Sequence, residues 1–134
     1  MAIIAQTPGK QQRNLGANHR MWTDASLHDS GQLKAFTNTH TGTWFGGFTG
    51  GVKVAVLDAN GIIIALTDRK TFGVDGTITG NNDRTDEWDY QFPAGDIVNA
   101  NSLEAIQAWA PRWDRNLENA VKVGRAIAEI LALM

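Results

Sequence analysis

The 134-residue chain has a nearly balanced charge, and its composition excludes several broad classes of protein. It carries 12 Lys and Arg against 14 Asp and Glu, for a formal net charge of -2. A nucleic-acid-binding domain normally has a basic stripe or patch, which this sequence lacks. The absence of cysteine excludes disulfides, zinc–thiolate sites and thiol catalysis. An apolar content of 43% at this length predicts a single domain, residues 1–134, with a packed core.

Residues 1–20 are predicted to form an extended arm, with a short strand at its end as an open alternative. They are mostly polar, include Pro8 and Gly9, and show no hydrophobic period. The apolar run over residues 2–5 is too short for the core of a signal peptide, and the apolar stretch over 51–66 is interrupted by charged and polar side chains. We therefore expect neither a signal peptide nor a membrane span, and the compartment stays undetermined.

Residues 21–93 are predicted to form a β-rich body of about six or seven strands. The clearest strand covers residues 52–57, where apolar side chains occupy both faces, so we expect a central position with cover on both sides. Residues 58–61, with Asp first and Gly last, form a strong turn signal that returns the chain as a hairpin. Residues 32–40 and 70–74 also favour strands.

Clean alternation predicts another strand over residues 86–92. Its three aromatic residues fall on one face, which favours a place in the core, whereas Glu87 and Asp89 fall on the other. The aromatic residues are Trp88, Tyr90 and Phe92. Clustered carboxylates over 83–89 suit a hard cation such as calcium, but their spacing does not fit a calcium-binding loop. Solvated charges are therefore the favoured interpretation, and calcium binding stays an open alternative.

The pattern changes after residue 99, and residues 101–134 are predicted to form a long amphipathic helix. Asn101 with Glu104 three residues later fits a capping box. Apolar or small residues then recur at steps of three and four, which predicts a helix with one narrow apolar seam. The seam comprises Leu103, Ile106, Ala110, Trp113, Leu117, Ala120, Gly124, Ile127, Leu131 and Met134. Pro111 either kinks this helix or begins a second one at its first position.

The predicted helix has three possible roles. It can cover an open face of the β-body, or pair with copies of itself as an oligomer, or insert into a membrane. The oligomer seam would comprise Trp113, Leu117, Ala120, Gly124, Ile127 and Leu131. Small residues within it allow close backbone approach in the first two cases. The mixed charges on its polar side argue against the third, because helices that seek membrane surfaces usually have a basic polar side.

Two tryptophans lie in polar surroundings that suit ligand contact. Asp24 follows Trp22 at the second position, and Thr43 precedes Trp44 in a stretch rich in Gly and Thr. A Trp with hydroxyl and carboxylate groups nearby has the composition that stacks on sugar rings and hydrogen-bonds their hydroxyls. A buried Trp whose N–H is satisfied gives the same sequence, so both interpretations stay open.

Catalytic and metal-binding patterns are weak in this sequence. The histidines, His19, His28 and His40, show no metal-ligand spacing, and no serine occupies a nucleophile elbow. We predict no metal and no cofactor. A histidine brought against a carboxylate inside a barrel pocket would still support a small enzyme, since catalytic groups need not be adjacent in sequence.

These observations predict an α+β fold: an antiparallel β-sandwich or flattened barrel followed by a long C-terminal helix. The favoured function is that of a non-enzymatic binding or assembly module, lectin-like in its most concrete form, with a carbohydrate ligand at Trp22 and Trp44 and a homo-oligomer formed through the helix. A membrane-active or pore-forming protein and a small enzyme with a barrel pocket are the alternatives.

Overall fold

In the described part of the chain, two antiparallel sheets pack face to face as a β-sandwich. The structure, a computed structural model, describes residues 2–16, 19–41, 48–74 and 82–110. The first sheet contains β1 (Ile3–Gln6), β2 (Gln11–Gly16), β3 (His19–His28), β4 (Gln32–Thr41) and β8 (Asn82–Gln91). The second contains β5 (Phe48–Leu57), β6 (Ile63–Leu66), β7 (Lys70–Val74) and β9 (Ser102–Ala110). A short 3-10 helix, Ala94–Ile97, lies between β8 and β9.

The order of strands explains which elements face each other. In the first sheet β1 and β2 both pair with β3, which pairs with β4, which pairs with β8. In the second sheet β5 is central and pairs with β6, β7 and β9. Strand β9 lies against β1, β2 and β3, while β7 lies against β4 and β8. The predicted β-sandwich is therefore confirmed, and it begins and ends further out than residues 21–93.

Period-two alternation builds the core between the sheets. On β3 the buried side chains alternate with half-buried ones, and β5 presents Val52, Val54 and Val56 to the same interior. The core cluster comprises Ala5, Met21, Ala25, Leu27, Leu33, Ala35, Val52, Val54, Val56, Trp88, Phe92, Ile97, Leu103 and Ala105. Trp88 and Phe92 occupy the core as their alternation predicted, and half-buried Tyr90 packs against it.

The hairpin of β5 and β6 forms as its turn sequence predicted. Asp58 Oδ1 accepts hydrogen bonds from the backbone N–H groups of Asn60 and Ile62, at 2.9 and 3.0 Å. Gly61 has a φ of 77°, a left-handed conformation that glycine adopts without steric cost. The central position expected for this strand is confirmed, because β5 has a neighbouring strand on each side and buried side chains on both faces.

A chain of polar side chains crosses the core and joins the two sheets. Trp88 Nε1 donates to Thr37 Oγ1 at 3.0 Å, and the Thr37 and Thr23 hydroxyls lie 3.0 Å apart. Thr23 Oγ1 donates to Gln107 Oε1 on β9 at 2.7 Å. The single hydroxyl hydrogen of Thr23 goes to Gln107, so Thr37 donates to Thr23 and every donor in the chain points the same way.

The N-terminal residues form strands where an extended arm was predicted. Residues 3–6 and 11–16 pair with the two halves of β3. Residues 3–6 (IIAQ) are too few and residues 11–16 (QQRNLG) too polar to give a clear strand signal. Both segments form strands by backbone pairing with β3, and Ala5 adds one buried side chain. The segment 3–6 is therefore a paired strand and not part of a free arm, while the strand over 11–16 agrees with the alternative of a strand at the end of the arm.

Residues 102–110 form strand β9, where the start of the long helix was predicted. Leu103 and Ala105 point into the core, and Ile106 is also completely buried although it points the other way. A strand buried on both faces loses strict alternation, so the three-residue step from Leu103 to Ile106 resembled a helical period. Residues 111–134, the rest of the predicted helix, lie outside the described residues. Within the described ranges no helix is long and apolar enough to cross a membrane.

Candidate binding face

The outer face of the first sheet carries an aromatic and acidic patch that faces away from the core. Strand register places Trp22 opposite Asn38, and Asp24 opposite Phe36. Phe36 in turn lies opposite Glu87. We call these five residues (Trp22, Asp24, Phe36, Asn38 and Glu87) the Trp22 patch. Side chains directly opposite each other on antiparallel strands have Cβ atoms about 5 Å apart, so the patch is continuous across β3, β4 and β8.

Phe36 and Trp22 give the patch its apolar surface. Phe36 is 46% exposed, which is unusual for a large apolar side chain in the middle of a sheet, and Trp22 is half-buried. Lys10, from the turn between β1 and β2, holds its ammonium 4.7 Å from the centre of the Trp22 ring. This cation–π contact shields one side of the indole, so a ligand that stacks there has to displace the Lys10 side chain.

Polar side chains surround these rings, and one of them, Asn38, already makes hydrogen bonds within the protein. The Asn38 side-chain amide donates to Asp83 Oδ1 and, at 3.0 Å, to Thr85 Oγ1, which fixes its orientation. Asp24 and Glu87 flank Phe36 from the two neighbouring strands. The patch therefore offers an exposed ring between two carboxylates, and the Asn38 side chain beside them is buried and held in place by β8.

Of the predicted ligand-binding residues, Trp22 and Asp24 lie together on this face. They are two residues apart on β3, and the intervening Thr23 points into the core. Thr43 and Trp44 lie outside the described residues, and so do all six residues of the predicted oligomer seam. Sequence reasoning missed Phe36, Asn38 and Glu87. The alternation of 32–40 could have placed Phe36 and Asn38 on one face, but only the strand register shows which residues they meet.

Strands of the first sheet carry His28 and His40, and both side chains are half-buried. His40 is opposite Asp83 on one side and Arg20 on the other, on the outer face of the first sheet. His28 lies opposite Ile3. Two open depressions of about 430 and 390 Å³ occur in the described part of the chain, and neither has a histidine in its lining. His40 and Asp83 are thus neighbours across two strands, and neither of these two depressions is the barrel pocket that the enzyme hypothesis requires.

The acidic segment lies on an edge strand and carries no metal-binding geometry in the described ranges. Asp83, Glu87 and Asp89 are exposed on the outer face of β8, while Asp86 pairs with Arg84 at 2.6 Å on the other face. Arg84 also donates to the backbone carbonyl of Gly73 at 3.0 Å, and so links β8 to β7. No group of three potential ligands close enough to hold a metal ion occurs among the described residues.

Similarity to known proteins is slight. No family model matches the chain, and no curated protein matches it. Among solved structures, the chain is similar to a DUF1425 family member from Shewanella sp. pv-4, with a TM-score of 0.36 and 16% sequence identity, covering 80% of this chain and 94% of that chain. A likeness at this level carries no argument about function, so the candidate site rests on its own geometry.

Proposed function

We propose that the protein is a non-enzymatic binding module whose ligand contacts the Trp22 patch, and that the ligand is a carbohydrate. The observation that carries this proposal is the row Asp24–Phe36–Glu87, in which a 46% exposed ring is flanked by two carboxylates next to Trp22. A single exposed apolar side chain is ordinary, but two neighbouring aromatic rings bordered by carboxylates form a patch, and such patches often mark ligand contact.

The chemistry of the patch suits a sugar ring. Pyranose rings present C–H groups on one face and hydroxyls around the rim, and they need an aromatic surface with polar groups at its border. Phe36 and Trp22 supply the aromatic surface, and Asp24 and Glu87 supply hydrogen-bond acceptors for hydroxyl groups. The exposure of Phe36 on a sheet face suits a sugar ring bound from one side.

A packed interior supports a binding module over an enzyme. Core side chains fill the space between the sheets, from Leu27 and Leu33 on one side to Val54 and Val56 on the other. Four polar side chains of that core are engaged with each other in the hydrogen-bond chain from Trp88 to Gln107, whereas the buried Thr39 hydroxyl has no hydrogen-bond partner. The surface chemistry of the Trp22 patch therefore offers the stronger basis for function in the described part of the chain.

Binding to an array of glycans tests the proposal, followed by titration of the best ligand with wild-type protein and variants. We expect Phe36→Ala and Trp22→Ala each to cost roughly 2 kcal/mol of binding free energy, about a thirtyfold rise in Kd. Trp22→Phe is expected to retain most of the affinity, because it keeps an aromatic face. Val98→Ala, at a 76% exposed apolar position outside the patch, is the matched control and should bind normally.

A substitution of Lys10 is expected to change the affinity in the opposite direction. Lys10→Ala removes the ammonium from the Trp22 ring and should strengthen binding, because the ligand no longer has to displace it. Lys34→Ala removes a positive charge from the same face outside the patch and should change affinity little. No binding to any glycan, or equal affinity of wild-type and Phe36→Ala proteins, would reject the carbohydrate proposal.

A further inference from the structure

The outer face of the second sheet holds four buried apolar side chains that do not belong to the core between the sheets. They are Ala55, Leu57, Ile63 and Ile106, with exposed fractions of 0%, 3%, 9% and 0%. None is part of the core cluster, although every other buried apolar residue of the described part is. Strand register explains the difference. Ala55 and Leu57 alternate with the inward-facing Val54 and Val56, so they point away from the first sheet.

Neighbouring strands extend this face in register. Leu57 is paired with Ile63 on β6, and Lys53 is paired with Ile106 on β9. The first sheet packs only on the inner face, so it cannot bury these residues. A side chain that is 0% exposed needs neighbours on the side away from its own sheet. We call the four buried side chains together with Lys53 the Ile106 face.

We propose that the C-terminal segment, residues 111–134, docks on the Ile106 face as an amphipathic helix and closes the molecule as a third layer. Strand β9 ends at Ala110, next to β5 in this sheet, so the segment begins at the edge of the face it would cover. Pro111 is the first residue after β9, and proline suits the first turn of a helix. The inference does not depend on the proposed function, because the Trp22 patch lies on the opposite side of the sandwich.

The dimensions and the side chains agree with this placement. The segment has 24 residues, which span about 36 Å as a helix at about 1.5 Å per residue. The ten residues of β5 span about 33 Å at about 3.3 Å per residue, so a helix running back along β5 and β9 covers the whole face. Leu117, Ile127 and Leu131 would supply apolar contacts, and Gly124 would allow close approach of the helix to the sheet.

Photocrosslinking of the full-length chain tests this docking. The chain has no cysteine, so Lys53→Cys accepts a single benzophenone maleimide label at the centre of the Ile106 face. We expect illumination to join this position to a peptide from residues 111–134 in a product with the mass of one chain. Lys34→Cys, labelled in the same way on the outer face of the first sheet, is the matched control and should give no crosslink to that segment.

Two further variants keep the test decisive. If Lys53→Cys does not fold, Glu104→Cys places the label on the same face from β9, because Glu104 lies opposite Ala55. Leu117→Asp in the labelled protein should abolish the crosslink to residues 111–134, whereas Glu118→Ala, off the apolar seam, should preserve it. A crosslinked product with the mass of two chains would overturn the proposal in favour of a second copy on this face. Crosslinks confined to residues 1–110, no crosslink, or a crosslink that survives Leu117→Asp would also overturn it.

Discussion

Threonine side chains give the core a polar chain with a fixed direction. The N–H of Trp88 can only donate and the Oε1 of Gln107 can only accept, so the two hydroxyls between them, on Thr37 and Thr23, have one consistent orientation. Thr23 and Thr37 are both 0% exposed, which makes a lost partner costly, because water cannot replace it. The chain therefore holds β9 to the first sheet by hydrogen bonds as well as by apolar contact.

Replacing Thr23 by Val tests the value of this chain. Thr23→Val keeps the shape of the side chain and removes the hydroxyl that joins Thr37 to Gln107. We expect a loss of about 1–3 kcal/mol in the free energy of unfolding, because two buried polar groups each lose a partner. Urea denaturation measures it. Thr71→Val, at an exposed position on β7, is the control and should leave stability within about 0.5 kcal/mol.

Among the secondary-structure elements, the turn between β3 and β4 depends most on its glycine. Gly31 has a φ of 90°, and its backbone N–H donates to the carbonyl of His28 at 2.9 Å. The carbonyl of Gly31 accepts from the N–H of Phe92, also at 2.9 Å. A Cβ at Gly31 would lie within 2.4 Å of the Phe92 carbonyl oxygen. This turn therefore combines a left-handed backbone with a close approach of the end of β8.

Gly31→Ala and Gly61→Ala form a matched pair that separates these two effects. Both positions have positive φ, but a Cβ at Gly61 would meet nothing within 4 Å. We expect Gly61→Ala to cost about 1–2 kcal/mol, the strain of a left-handed alanine. Gly31→Ala should cost more, because backbone has to move away from Phe92 as well. Denaturation midpoints at constant m-value compare them, and equal losses would show that the close approach adds nothing.

Local signals account for the elements that the sequence predicted. The hairpin of β5 and β6 follows from alternating valines and a turn that begins with Asp58, both of which act over a few residues. Strands β1 and β2 carry few such signals, because neither has an alternating apolar pattern, and both are held in place by backbone pairing with β3. Strand β9 misled the prediction because Leu103 and Ile106, on opposite faces, are both buried.

Some residues of the candidate site could likewise be predicted from local sequence, and others could not. Trp22 and Asp24 could be predicted to share a face, since they are two residues apart on one strand. Phe36 and Glu87 are 51 positions apart in the chain, and only the register of β4 and β8 brings them together. A site assembled across three strands is therefore visible in sequence as separate residues, and its composition emerges only with the sheet.

For the whole molecule, the second sheet has buried side chains on both its inner and its outer face, so we expect both faces to contribute to the free energy of unfolding. Ile106→Ala removes a side chain that is 0% exposed, whereas Ile62→Ala truncates one that is 42% exposed. We expect the first to cost about 2–5 kcal/mol, as for a fully packed core position, and the second to stay within about 0.5 kcal/mol. Chemical denaturation compares the two. Similar small effects would mean that the Ile106 face contributes little to folding.

Strand β8 has a consequence for how copies of this protein behave in concentrated solution. Within the described ranges it pairs with β4 alone, so a row of ten residues ends the first sheet. Half of those residues are charged: Asp83, Arg84, Asp86, Glu87 and Asp89. A second chain that added a strand there would bring like charges close together and strip water from them, which disfavours growth of the sheet from molecule to molecule.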